Sequence, residues 1–331
     1  MAFGKNHFPI KGRTVLVAGG SQGAGLEVAK LLANKEAAHI VIASRSAQKL
    51  KNAVEEINKC HDSSENKPLV NYVAGDLGSY KGCESTMDET IGLLNGEIPD
   101  IVVCCVGSSV PKLFVDLTPE ELELGIKTNY NPALFLSHVL LSRISSLSPV
   151  NGADGGVVAA TKKFPSRHLV LFSSVLAHFS FIGYSQYSPL KAALNNLVYT
   201  IRQEAALYNL RVTPAFPGNF MSQGFLEEEK TKPKVTKMIE GPSDAIPASE
   251  CARLVVKQLQ QGNESATTDW IGYVLTCLTP RAELSWDWPL QVFLAMILMF
   301  ASPIAHLIFK RDIKLHYQSE EQSKGDSLKE D

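Results

Sequence analysis

The chain has 331 residues, with Lys+Arg 32 against Asp+Glu 34, a formal net charge of -2 and 45% hydrophobic residues. The balanced charge excludes a general nucleic-acid binder, which needs a basic excess. The hydrophobic content excludes a mostly disordered chain, and six cysteines in this length exclude a disulfide scaffold.

The cysteines are Cys60, Cys83, Cys104, Cys105, Cys251 and Cys277, and no C-x-x-C spacing occurs, so no zinc or other metal is expected. Cys104 and Cys105 sit side by side in an apolar run and would face opposite sides of a strand. Both are read as buried thiols, a usage that fits a reducing compartment.

Taken in order, the N-terminus has no apolar stretch long enough for a signal peptide. Apolar runs at 13–18, 39–43, 69–74, 101–105, 168–173 and 210–215 predict strands, apolar on both faces as in a helix-covered parallel sheet. Between them, helical patterns occupy 25–34, 47–58, 80–94, 119–146 and 188–208. This βαβ alternation predicts a doubly wound α/β fold. Residues 148–165, rich in Gly, Ala and Lys, read as a surface loop.

Residues 217–247 carry the run EEEKTKPK and show no strong period. They follow a strand's C-terminal end, where such sheets place ligands, and read as a mobile lid or as a solvated charged loop. Residues 290–309 are almost wholly apolar, and a helix of that length spans ~30 Å, the thickness of a bilayer core. Trp286 and Trp288 precede it, and Lys310, Arg311 and Lys314 follow. Pro303 interrupts the stretch, so a hairpin or in-plane anchor is expected over one clean span, with a buried helix or dimer surface as the alternative. The expected organisation is a domain at 1–285, a membrane anchor at 286–310 and a polar, disordered tail that closes the chain at 331.

Three local patterns carry chemistry. The run Ala18-Gly19-Gly20-Ser21-Gln22-Gly23-Ala24-Gly25 lies between the first strand and first helix. Its glycines permit a tight turn and close backbone approach, and the helix N-terminus offers free N–H groups to a pyrophosphate. Gly19, Ser21, Gln22, Gly23 and Gly25 are therefore candidate dinucleotide-binding residues. After the second strand stands Arg45, with Lys49 one turn on and no acid at the position that would hold a ribose 2′-hydroxyl. This pattern suits a 2′-phosphate and predicts NADPH over NADH. Finally, Tyr187 and Lys191 are four residues apart on one helix. An ammonium near the phenol is expected to draw its pKa down and ready it for proton transfer to a carbonyl. Ser173 or Ser174, at the end of the fifth strand, would hydrogen-bond the same oxygen.

Together with Asp76-Leu77 after the third strand and Asn129 in the fourth helix, this combination resembles the short-chain dehydrogenase/reductase superfamily over roughly residues 11–220. The resemblance implies a seven-stranded parallel Rossmann sheet. It implies Tyr187 as acid, Lys191 lowering its pKa and holding the nicotinamide ribose, and Ser174 rather than Ser173 polarising the carbonyl. It also implies Asn129 supporting a water relay and Asp76 contacting adenine. The family's Asn-Asn-Ala-Gly is here Cys104-Cys105-Val106-Gly107, so its usual brace of the central strand is replaced, and Ala18 and Ala24 also depart from the usual glycine motif.

A narrower resemblance lies downstream. Gly224-Phe225-Leu226-Glu227-Glu228-Glu229-Lys230-Thr231-Lys232-Pro233, then Gly272-Tyr273-Val274-Leu275-Thr276 and the apolar segment, are similar to 3-ketodihydrosphingosine reductases. This implies NADPH-dependent reduction of a long-chain ketone lipid, 3-oxosphinganine, on the cytosolic face of the endoplasmic reticulum membrane. By analogy it also implies a homo-oligomer. Phe220, Met221, Phe225 and Leu226, closed by Met238 and Ile239, would form a slot for the lipid chain. Glu227, Glu228 or Glu229 would pair with the substrate ammonium. Another lipophilic ketone, such as a steroid or retinoid, and a non-catalytic cofactor-sensing scaffold are the alternatives.

Overall fold

Six apolar runs form β1 (Thr14–Ala18), β2 (His39–Ser44), β3 (Leu69–Ala74), β4 (Ile101–Cys104), β5 (Arg167–Phe172) and β6 (Leu210–Phe216). Two short strands, β7 (Phe220–Met221) and β8 (Ile246–Pro247), pair with each other outside the main sheet. The computed structural model describes residues 6–60, 67–147, 164–241, 245–279 and 287–327. The main sheet is parallel and runs β3-β2-β1-β4-β5-β6, with a seventh strand, β9 (Ala266–Thr267), added beside β6. Strand order reverses between β1 and β4, where Val17 lies opposite Ile42 on one side and Val103 on the other. Such a switch point opens a crevice at the strands' C-terminal ends.

The helices are α1 (Gly23–Asn34), α2 (Ala47–Lys59), α3 (Tyr80–Leu93), α4 (Pro119–Asn129), α5 (Asn131–Ser146), α6 (Ser188–Ala205), α7 (Gln223–Thr231), α8 (Lys234–Glu240), α9 (Ala248–Gln261), α10 (Trp270–Thr276) and α11 (Trp288–Ser327). They cover both sheet faces, and the strands' two-residue alternation divides the core accordingly. Val15 and Val17 pack with Val28 and Leu32 of α1 and Val255 of α9. Leu16 and Ala18 pack with Met87 of α3, Leu136 of α5 and Leu194 of α6.

Four expectations are revised. The pattern at 119–146 is two helices, because Pro132 has no N–H for the preceding turn, and the chain breaks at Tyr130. The first of the pair starts cleanly: Thr118 Oγ1 accepts from Glu121 N at 3.2 Å, while Glu121 Oε2 accepts from Thr118 N at 3.0 Å. The described part of 217–247 is not irregular, but folds into β7, α7, α8 and β8. Cys104 is buried, but Cys105 is only partly so and lines the crevice. Finally, α11 runs unbroken through Pro303 and on to Ser327, where a disordered tail was expected. Lys, Glu and Gln, strong helix formers, carry it past the apolar stretch. The loop at 148–163 and Trp286 lie outside the described residues.

The apolar stretch of α11 is held to the body near both ends. Asp287, just before it, accepts from Tyr273 of α10 at 2.5 Å and from Gln291 Nε2 at 2.7 Å, and Gln291 is buried. At the other end the His306 and Phe309 rings meet Phe179 at 5.2 and 6.0 Å. Between them Phe293, Met296, Met299 and Phe300 are exposed. Over residues 288–322 the helix is long and apolar enough to cross a membrane, with a mean hydropathy of 2.3 in its most apolar window.

Candidate active site

The crevice at the switch point has a volume of about 360 Å³. Its floor is backbone. Gly19 has φ +81°, and a Cβ there would stand 3.0 Å from the Cys105 carbonyl carbon and the Val106 nitrogen. A Cβ on Gly25 would strike the Gly19 carbonyl. These positions tolerate only glycine, so the β1–α1 turn lies flush against the chain leaving β4. The first turn of α1 carries no acidic residue, and Gln22 at its N-cap makes no side-chain cap bond. Its N–H groups thus remain for an anion. Ser21, Gln22, Gly23, Arg45, Lys49 and Asp76 all border this end, with Leu77 beside them. Lys49 Nζ donates to Gln22 Oε1 at 2.9 Å, tying the glycine-rich turn to α2. Arg45 is exposed at the rim. Lys127 bonds Asp76 at 2.9 Å and holds its carboxyl below the usual range. The cradle fits a dinucleotide: glycine where backbone must approach, free N–H groups for a pyrophosphate, and cations without an acid beside the ribose position.

The opposite end holds the hydroxyls. Tyr187 stands at the N-terminus of α6, where Pro189 falls in the first turn and costs no hydrogen bond. Ser174 caps the short turn after β5, its Oγ accepting from Leu176 N at 3.2 Å, and it borders the crevice with Tyr187. Ser173 and Ser174 both border the crevice, but Ser173 Oγ donates to the Lys191 carbonyl at 2.9 Å, anchoring α6 to β5. The two candidate serines therefore have different work.

The Tyr–Lys pair shares the crevice but differs from the expected electrostatics. Burial pushes the Tyr187 phenol up, the Glu228 charge adds to this, and the neighbouring Ser174 hydroxyl opposes it. Lys191 Nζ lies 5.5 Å from the ring centroid and donates to the Phe172 carbonyl at 3.0 Å. Its ammonium thus sits over the ring, held there by that carbonyl. Burial brings Lys191 itself down to about 8. Asn129 is buried, and its amide clasps the backbone of Ser108: Nδ2 donates to Ser108 O at 2.8 Å and Oδ1 accepts from Ser108 N at 3.0 Å. It therefore braces the chain after β4, just beyond the segment where Cys104-Cys105 replaces the usual pair. Lys191 and Asn129 converge on Gly107, where a Cβ would stand 3.0 Å from Lys191 Nζ and 3.1 Å from Asn129 Oδ1.

Of the slot residues, Phe220 and Phe225 border the crevice, whereas Met221, Leu226 and Met238 are exposed. Two groups that the sequence reading did not single out complete this end. Tyr184 is buried and donates to Glu228 Oε1 at 2.8 Å, and Thr236 Oγ1 of α8 donates to the Ile182 carbonyl at 3.1 Å. The available signal was the spacing of Glu228 and Lys232, one turn apart in α7 and its C-cap.

A family model described as short chain dehydrogenase matches residues 13–233. The chain belongs to the short-chain dehydrogenase family. It is accordingly an oxidoreductase whose Rossmann fold binds a nicotinamide cofactor. A crystal structure of a dehydrogenase/reductase from Sinorhizobium meliloti superposes with a TM-score of 0.60 at 20% identity, covering 79% of this chain and 96% of that one, and shows the same fold. Within the family the chain is 37% identical to a 3-ketodihydrosphingosine reductase of Debaryomyces hansenii, covering 95% of this chain and 92% of the relative. It is 35% identical to the 3-ketodihydrosphingosine reductase of Saccharomyces cerevisiae, covering 81% and 82%.

Proposed function

We propose that this chain reduces 3-ketodihydrosphingosine to sphinganine with NADPH, at the cytosolic face of the endoplasmic reticulum membrane. The single observation that carries the chemistry is that Ser174 and Tyr187 border one end of a crevice whose other end is a glycine cradle. The relatives' shared name supports the substrate. Arg45 and Lys49 beside the cradle, with no acid at the end of β2, support a 2′-phosphate and hence NADPH. The long apolar helix α11 supports residence at a membrane, where a ketone with a long acyl tail is found. The reading divides the chain into a reductase domain at 1–285, an anchor at 286–310 and a polar end at 311–331.

When bound, the nicotinamide supplies a hydride to the ketone carbon. Tyr187, its phenol held protonated by burial, gives a proton to the carbonyl oxygen, which is the direction a reduction needs. Ser174 orients that oxygen and stabilises the phenolate left behind, and the Lys191 ammonium over the ring helps bear the same charge. Lys191 is also placed to hold the nicotinamide ribose, and Asn129 keeps the chain after β4 in position beside it. The test is NADPH oxidation by the purified chain with 3-oxosphinganine in detergent. Turnover is expected, and a chain that binds NADPH but leaves this ketone intact while reducing a steroid or retinoid ketone would replace the substrate assignment.

A further inference from the structure

The three consecutive glutamates of α7 have three different surroundings. Glu227 is exposed and pairs with Lys230 at 2.6 Å. Glu229 pairs with Lys232 and, at 3.1 Å, with Lys237. Glu228 alone of the three borders the crevice, beside Ser174 and Tyr187. Its Oε1 takes both the Tyr184 hydroxyl, at 2.8 Å, and the Lys232 ammonium, at 3.5 Å, which leaves the second oxygen for a group in the crevice. The Lys232 side chain is 1% exposed and is fixed from behind by Glu240 at 2.8 Å and by the Tyr184 and Phe225 rings. Glu228, Glu229 and Glu240 face Lys232 and Lys237, three negative charges against two positive. One negative charge is left over at the edge of the reaction site, and Glu228 is the carboxylate exposed to it.

We propose that Glu228 selects the substrate by receiving a primary ammonium on the carbon next to the ketone, so that the crevice prefers 2-amino ketones to plain long-chain ketones. This assignment rests on the reaction proposed above and adds the residue that reads the substrate's amine. Glu228, Ser174 and Tyr187 border one crevice, so the carboxylate can take the ammonium of the molecule whose carbonyl lies on Tyr187. Burial also holds the Glu228 carboxyl above its usual range, and a cation beside it favours the ionised form.

The test uses E228Q, which keeps the size of the side chain and an acceptor for Tyr184, in neutral detergent. For 3-oxosphinganine kcat/KM falls about 10-fold or more, mainly through KM, as expected for a lost charge-assisted bond. For the same chain with hydrogen in place of the amine, kcat/KM stays within about 2-fold, since no such bond is lost. Equal losses on both ketones overturn the proposal. A second measurement needs no variant and no turnover: dodecylamine should raise the melting temperature of the wild-type chain with NADPH more than dodecanol does at equal concentration. Equal shifts also overturn it. Wild-type protein that turns over neither ketone sinks the reaction itself, whereas wild type that turns over both with equal kcat/KM sinks only the role of Glu228.

Discussion

The two ends of the crevice are built from different materials. The cofactor end is backbone: the glycine turn after β1, the N-terminus of α1 and the chain leaving β4, locked because no side chain fits between them. The proposed substrate end is side chain: Phe220, Phe225 and Glu228, the last held from behind by Tyr184 and an ion network. A site made of backbone takes a ligand common to many proteins. A site made of side chains changes its ligand when a few residues change. The proposed chemistry stands between the two, on Ser174 and Tyr187.

The sharpest way to break this division is at the middle. Tyr187→Phe should lower turnover by about 10³-fold in the detergent assay, the usual loss for a general acid, with NADPH affinity retained. The neighbouring serines should then part company. Ser174→Ala is expected to cost about 10²-fold in kcat, as for one lost oxyanion donor. Ser173→Ala should leave most of the activity and instead lower stability by about 1 kcal/mol, the worth of its bond to α6. If both serines lose activity alike, the separation of their roles is wrong.

At the cofactor end, Arg45→Asp should raise the KM for NADPH by about 10-fold and narrow its margin over NADH, measured with both cofactors. Unchanged NADPH kinetics would remove the 2′-phosphate assignment. At the substrate end, Phe225→Ala should reduce kcat/KM for long acyl chains more than for short ones. Leu226→Ala, whose side chain is exposed, should have a smaller effect than Phe225→Ala in the same chain-length series. The remaining test concerns pH. Lys191 titrates at about 8 in the fold, below its ordinary 10.5, so its buried charge destabilises the protein fully below pH 8 and ceases to do so as pH rises towards 10.5. Melting temperatures of wild type and Lys191→Met across that window should therefore shift in favour of wild type, and a constant difference would contradict the burial of this charge.

The same division explains what could be read from the sequence. Six strands were legible because two covered faces force continuous Val, Ile and Leu runs. The seventh, at Ala266–Thr267, is too short to show a period. The break at Tyr130 was marked by Pro132 but hidden by the apolar periodicity on either side. In the site, the glycine turn and the Tyr187–Lys191 spacing are local, so they stand out in one dimension. Which way the Lys191 ammonium points is not local, since the Phe172 carbonyl draws it, and neither is the burial that raises the phenol. The knot of Tyr184, Glu228 and Glu240 ties Tyr184 to residues 44 and 56 positions away, and only the fold brings them together.

The attachment of α11 near both ends of its apolar stretch sets how the protein meets lipid. A helix tied at Asp287 and again at Phe309 lies along the body, and on the membrane residence proposed above its outer side is expected to rest flat on the bilayer. An enzyme riding in this way samples its substrate as a two-dimensional solute. Its rate should follow the mole fraction of ketone among the surrounding amphiphiles, and adding inert detergent at fixed total ketone should slow it by surface dilution.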